Sequence, residues 1–359
     1  MRHPDSVIPS EARDPAWGPS PAQWARAGSL NAAYKPALHR YAVCTTIATF
    51  FLLVAGALVT SNDAGLAVPD WPLSYGSYFP PMVGGIFYEH GHRMVATFVG
   101  LLTVGLAIFL LVVEPRRWVR RLGLVALAAV VAQGILGYLT VRFLLPPPVS
   151  VAHASLAQIF FCITVALAIF TSRWWLSEIP QVEDTATPHL QTLAVAAIAA
   201  TFLQLVLGAA FRHNAFGIVP HLIGAAVVLL LVILAGRAVR IRFPGGRPLR
   251  RAGALLHALV GTQLLLGAAA WWARVASRGM QQIPESTIWL TVIHTVFGAL
   301  VLAATVVLAL IAHRVVRRPV AEGEEDGDEL EFVGAPVGKG PRNLAASARA
   351  PFSGGEAQS

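Results

Sequence analysis

"QGILGYLTVRFLLPPPVSVAH", Gln133 to His153, decides the fold. Its glutamine and its second glycine are spaced i and i+4, so on a helix they share one face. Three prolines, Pro146 to Pro148, interrupt the apolar run, and a new run restarts with a histidine near its beginning. Residues 143–150 are enough for a hairpin between antiparallel helices and for little else. The flanking runs, 122–142 and 151–171, have the roughly 20 residues needed to cross a hydrocarbon core. The stretch is a membrane hairpin with a glycine on one helix and a histidine on the next.

The unit recurs along the chain. "QLVLG", Gln204 to Gly208, is followed by His221, and "QLLLG", Gln263 to Gly267, is followed by His294. "LLVAG", Leu52 to Gly56, puts leucine where the others have glutamine and is followed by His92. Four copies of one hairpin predict eight spans, at about 41–60, 89–113, 122–142, 151–171, 190–211, 218–236, 252–272 and 287–312. The fold class is an all-α polytopic membrane protein, its eight helices arranged as two pseudo-symmetric four-helix bundles.

Composition agrees with this reading. Of 359 residues, 55% are apolar and 13% are charged, about half the charged fraction of an ordinary globular domain. The net charge of +8 comes from arginines in short connections such as "EPRRWVRR" and "RAVRIRFPGGRPLRR". That placement is a topology signal and not a nucleic-acid surface. Arginine-rich connections stay in the cytoplasm, so both termini are expected there and the histidine-bearing ends face outward. Residues 1–37 read as a cytoplasmic tail without a cleavable signal, 38–175 as one bundle, 176–189 as a cytoplasmic linker, 190–316 as a second bundle and 317–359 as a disordered tail. Cys44 and Cys162 fall in apolar spans and are expected to be buried small hydrophobes.

A lone histidine in an apolar helix is more often a packing residue than a ligand. Four in register, all toward one end, point to ligation. Two imidazoles on opposing helices, with no cysteine or carboxylate partner, suit a heme iron held on both faces, and the glycines leave space for a flat macrocycle. His90 and His213 lie near the same end, as interfacial residues or behind the ligands. His39, His189, His257 and His313 lie toward the arginine-rich end, where solvated or snorkelling side chains are expected, and His3 is in the tail.

"NDAGLAVPDWPLSYG", Asn62 to Gly76, followed by "EHGHR", Glu89 to Arg93, and by single histidines in spans 4, 6 and 8, resembles the heme A synthase family over residues 38–315. The resemblance implies oxidation of the C8 methyl of heme O to a formyl group, giving heme A for cytochrome oxidase. It implies that His92 and His153 form the substrate-heme pair and that His221 and His294 hold a resident heme B. Glu89 matches the family's functional carboxylate; its alternative is a cap on the second helix. Arg93 would meet a heme propionate or a lipid phosphate. Asp70-Trp71-Pro72 would form a lid over a heme edge or a rigid interfacial turn. The heme O synthase and cytochrome oxidase assembly factors are implied partners, and the cell inner membrane is the implied location. Many relatives carry cysteines in the outer loops where Val68 and Ser74 stand here, so no loop disulfide or thiol-dependent step is expected.

Other functions fit less well. A prenyl transferase would need Asp-rich magnesium motifs, and a transporter would need midplane carboxylates or broken helices. The alternative that remains is a bis-histidine membrane cytochrome b with an electron-transfer or heme-handling role and no heme-modifying activity.

Overall fold

The computed structural model of the chain describes residues 34–319. Most of the two expected tails, and all of the basis for a disordered C-terminus, lie outside the described residues. Among the described residues, eight helices are long and apolar enough to cross a membrane. They are α1 (Pro36–Ser61), α2 (Gly84–Val113), α3 (Arg117–Arg142), α4 (Pro147–Phe170), α5 (Leu190–Arg212), α6 (Val219–Arg242), α7 (Arg247–Ala276) and α8 (Glu285–Val315). The chain is an all-α polytopic membrane protein.

Most helices run a turn or so past the apolar windows. The cause is local. Proline stands in the first turn of α1, α4, α6 and α7, where its fixed φ suits a helix start and its missing amide costs nothing. α3 starts inside its arginine run, since arginine is a good helix former that needs no apolar surroundings. The earlier starts move His92 and His294 to the third turn of their helices, deeper than the first two turns expected.

Neighbouring helices form two closed rings. α1 packs on α2, α2 on α3, α3 on α4 and α4 back on α1; α5 to α8 repeat this order. The rings meet through α1, α4, α5 and α8, and α8 is the most buried of the eight helices. Between α4 and α5 the expected plain linker contains a helical turn (Arg173–Leu176) and a two-residue strand, Val182–Glu183. That strand pairs in parallel with Val316–Arg317 after α8. Buried Asp184 beside it accepts from the Leu190 amide at 2.6 Å and fixes the start of α5.

The packed cores are unevenly placed along the helices. In the first bundle the core comprises Leu38, Ala42, Val99, Leu106, Leu110, Val119, Ala126, Phe160 and Leu167, all in the half toward the arginine-rich connections. In the second, Leu193, Val232, Ala235, Val239, Leu249, Leu256 and Leu308 fill the same half. From Leu127 to Arg142, the histidine-end half of α3, no residue is buried. Apolar packing therefore closes the inside of each bundle at one end, whereas toward the other the buried apolar residues Ala57, Val292 and Val296 lie between α1 and α8, where the rings meet. Of the two cysteines, Cys162 is half-buried, but Cys44 is exposed on the outside of α1 and is not the buried hydrophobe expected. Its span position fixed its depth but not which side of the helix meets lipid.

Candidate functional site

Each histidine of the repeat rests against the glycine of the preceding helix. A methyl group added at Gly208 or Gly267 would stand 2.9 Å from Cε1 of His221 or His294. At Gly56 the corresponding distance to His92 is 3.2 Å, and at Gly137 to His153 it is 3.4 Å. The space beside each glycine is thus taken by the imidazole itself, which corrects the expectation that it serves the macrocycle directly. The glycines set where the rings stand.

The glutamines of the motif, which the sequence singled out without giving them a task, hold the same turn. Gln133 Nε2 donates to the His153 carbonyl at 2.8 Å, Gln204 to that of His221 at 2.9 Å and Gln263 to that of His294 at 3.0 Å. These carbonyls already serve their helices, and each uses its second lone pair here. Leu52 makes no such bond, so the first hairpin lacks this brace. The signal was present in the sequence, as one amide at one register three times over.

His92 and His153 stand on α2 and α4 of the first bundle, each against the glycine of the helix before it. His221 and His294 face one another in the second, with ring centroids 6.3 Å apart and planes at 88°. Two imidazoles gripping one metal at about 2 Å from each nitrogen would have centroids roughly 6 Å apart. The donor set fits as well. Among the described residues no group of three or more His, Cys, Asp or Glu could hold a bare ion, and two imidazoles suffice only where a macrocycle supplies the remaining ligands. All four rings are half-buried, at the end of each bundle that no apolar core fills. The residues fit a bis-histidine heme in each bundle.

Glu89 lies in the second turn of α2, which starts at Gly84, so the helix-cap reading lapses. Its carboxylate, 4% exposed as a residue, instead accepts from the Val68 amide at 2.8 Å and from Arg93 Nη2 at 2.6 Å. Arg93 also donates to the carbonyls of Asp70 at 2.7 Å, Leu73 at 3.0 Å and Val68 at 3.3 Å. The guanidinium expected at a propionate is therefore engaged with the loop between α1 and α2. His90 joins them through a 2.8 Å hydrogen bond between its Nδ1 and the buried Ser74 hydroxyl. Asp70 accepts from the amides of Tyr75 at 2.7 Å and Gly76 at 2.8 Å, which close a turn at positive φ. The Gly76 amide first, then that of Tyr75 and the charge of Arg93, hold the Asp70 carboxyl below its usual range. Trp71, half exposed, packs on Tyr138 of α3 at 5.3 Å, so the loop reaches across the first bundle.

The remaining histidines sort themselves by contact. His39 bonds Thr171 at 3.3 Å and His189 bonds the Asp184 carbonyl at 3.0 Å. His313 is exposed, as expected. His257 departs from the snorkelling expectation: it packs against Gly236 of α6, and its Nδ1 donates to the Gly253 carbonyl at 2.7 Å. Arg212 bonds the Thr60 carbonyl at 2.6 Å, tying the second bundle to the last turn of α1, with His213 beside it.

The model of the cytochrome oxidase assembly protein family matches residues 82–221, from just before α2 to His221. A heme A synthase of Symbiobacterium thermophilum is 29% identical over 260 residues, 65% of this chain and 85% of that protein. The chain is similar to heme A synthases over 65% of its length. Two further family members, from Bacillus pumilus and Caulobacter vibrioides, are 28% and 30% identical over 184 and 135 residues. Those matches cover 50% and 34% of this chain, and 60% and 39% of the respective relatives. The family match takes in Glu89, His92, Arg93, His153 and His221; His294 lies beyond it and rests on the repeat and on its place facing His221.

Proposed function

We propose that the chain oxidises the C8 methyl of heme O to a formyl group, making heme A for cytochrome oxidase. The observation that carries this reading is a set of glycine-braced imidazoles, two in each bundle, in a chain similar to heme A synthases. His92 and His153 in the first bundle (38–175) would hold heme O as substrate. His221 and His294 in the second (190–316) would hold heme B. Heme B supplies a one-electron carrier when bound. The long loop over the first bundle and the short one at 213–218 over the second support giving the exchanging heme to the first.

Taking the methyl to a formyl group uses one oxygen atom from water and releases four electrons, to an acceptor outside the chain, and four protons; the protein's own residues would orient the substrate for this. The two imidazoles would hold the iron, and the helix faces around them would orient the porphyrin. Glu89, buried one turn before His92 on α2, would take protons released as the methyl is oxidised, a task suited to a positioned carboxylate. Arg93 holds Glu89 and the loop, a different task from the propionate contact expected of it. The arginine-rich connections support cytoplasmic termini and outward-facing hemes in a cell inner membrane. Delivery from a heme O synthase and transfer toward cytochrome oxidase assembly factors would follow from the same chemistry.

One observation favours the alternative, a bis-histidine cytochrome b without heme-modifying activity: both oxygens of Glu89 are already engaged. Single replacement of the histidines separates the halves. Replacing His221 or His294 by alanine is expected to remove the resident heme. Replacing His92 or His153 should leave that heme in place and abolish heme A production, read by heme extraction and visible spectra. Equal loss of heme from all four variants would contradict the division.

A further inference from the structure

The loop joining α1 to α2, residues 62–83, is held from beneath by side chains of the outer turns of α2. Arg93 gathers three of its carbonyls, those of Val68, Asp70 and Leu73, on one guanidinium. Glu89 takes the Val68 amide and balances the arginine. His90 takes the Ser74 hydroxyl. Val68 and Ser74, the points seized, are fully buried, whereas Trp71, Tyr75, Tyr78 and Phe79 between and beyond them are exposed. The loop is therefore fixed at Val68 and Ser74, its Tyr75 hydroxyl donates to the Ala67 carbonyl at 2.8 Å, and Tyr78 and Phe79 lie exposed on it. Its far side rests on the first bundle. Trp71 meets Tyr138, the residue after the glycine that seats His153, and Leu145 packs against Gly65, where an added methyl would stand 3.2 Å from it. The corresponding loop of the second bundle spans only residues 213–218, and its other connection at this end only residues 277–284.

We propose that Arg93 and His90 are positioning residues that set this loop as a lid on the histidine end of the first bundle, and that the lid governs the entry and exit of that bundle's heme. The proposal rests on the assignment of the exchanging heme to the first bundle. The clamp is built from hydrogen bonds and one ion pair, so it opens without breaking covalent bonds. Its selectivity is geometric: only a planar fork reaches three carbonyls and a carboxylate together, and lysine cannot replace it. Trp71 is the part of the lid that touches the wall next to His153.

The test uses the full-length protein, purified with its hemes, as wild type and as Arg93→Lys, His90→Ala, His90→Asn and Trp71→Ala. Two quantities are read: hydrogen exchange of the 62–83 backbone, and the rate at which each heme passes to an excess of apomyoglobin. Arg93→Lys and His90→Ala are expected to raise loop exchange and first-bundle heme release by about tenfold each, without changing release from the second bundle. His90→Asn, whose amide can replace Nδ1 toward Ser74, should restore both values. Trp71→Ala should speed heme release while leaving exchange at Val68 and Ser74 unchanged, so the lid and its clamp are read separately. Unchanged loop exchange in Arg93→Lys and His90→Ala would overturn the clamp. A loosened loop with unchanged heme release would overturn the lid. Neither readout needs turnover, so a wild-type protein that makes no heme A would refute the proposed reaction and leave this result standing.

Discussion

A hydrogen in place of a methyl group at four positions determines where four imidazoles stand. The clearance is smallest at Gly208 and Gly267, 2.9 Å, and largest at Gly137, 3.4 Å. Gly208→Ala or Gly267→Ala should therefore push the ring aside at an overpacking cost of about 1–3 kcal/mol. The heme-to-protein ratio should fall in the second bundle, while Gly137→Ala is tolerated. Glu89→Gln keeps an acceptor for the Val68 amide and removes the charge facing Arg93. Normal heme content is expected from this variant, with heme A production stopped or halted at a hydroxylated intermediate; a wild-type rate would end the catalytic role for Glu89. Asp70 gives a pH dependence of known sign. Its carboxyl is held low in the folded loop, so its contribution is complete above the ordinary aspartate range and is lost as pH falls through the depressed value. Protection of the Tyr75 and Gly76 amides should be flat above that range and fall below it, and Asp70→Ala should abolish the step. The histidines and glycines were legible from their register. The partners of Glu89, Arg93 and His90 were not, because a loop about twenty residues away in sequence supplies them and nothing in local spacing shows its path.

At the scale of the helices, the motif glutamine is a brace between neighbours. Gln204→Leu or Gln263→Leu removes one side-chain donor from a histidine carbonyl that keeps its helical bond. The expected loss is about 0.5–1.5 kcal/mol, visible as a lower melting temperature with heme still bound. Leu52 in the first hairpin shows that the repeat stands without this bond. All eight helices were legible because membrane spans are long and uninterrupted apolar runs. Their ends were not, since proline starts and arginine-rich turns extend a helix beyond its apolar window without a change of conformation. The two-residue strand at Val182–Glu183 left no periodic signal at all.

For the molecule as a whole, one hairpin repeated four times gives two rings of helices whose apolar cores occupy one end and whose imidazole pairs occupy the other. The sequence repeat announced both rings. It did not announce which side of each ring meets the other, because lipid-facing and protein-facing residues are equally apolar. What distinguishes the rings is the loop over the first, and the proposed division between an exchanging and a resident heme follows from it. Heme extraction with mass spectrometry tests this most directly, from membranes of cells that make heme O, lack their own heme A synthase and express this chain. Heme A should appear, with heme B retained on the purified protein and lost on replacing His221 or His294. Heme O left unmodified beside a protein that carries heme B would contradict the reaction and leave a bis-histidine cytochrome.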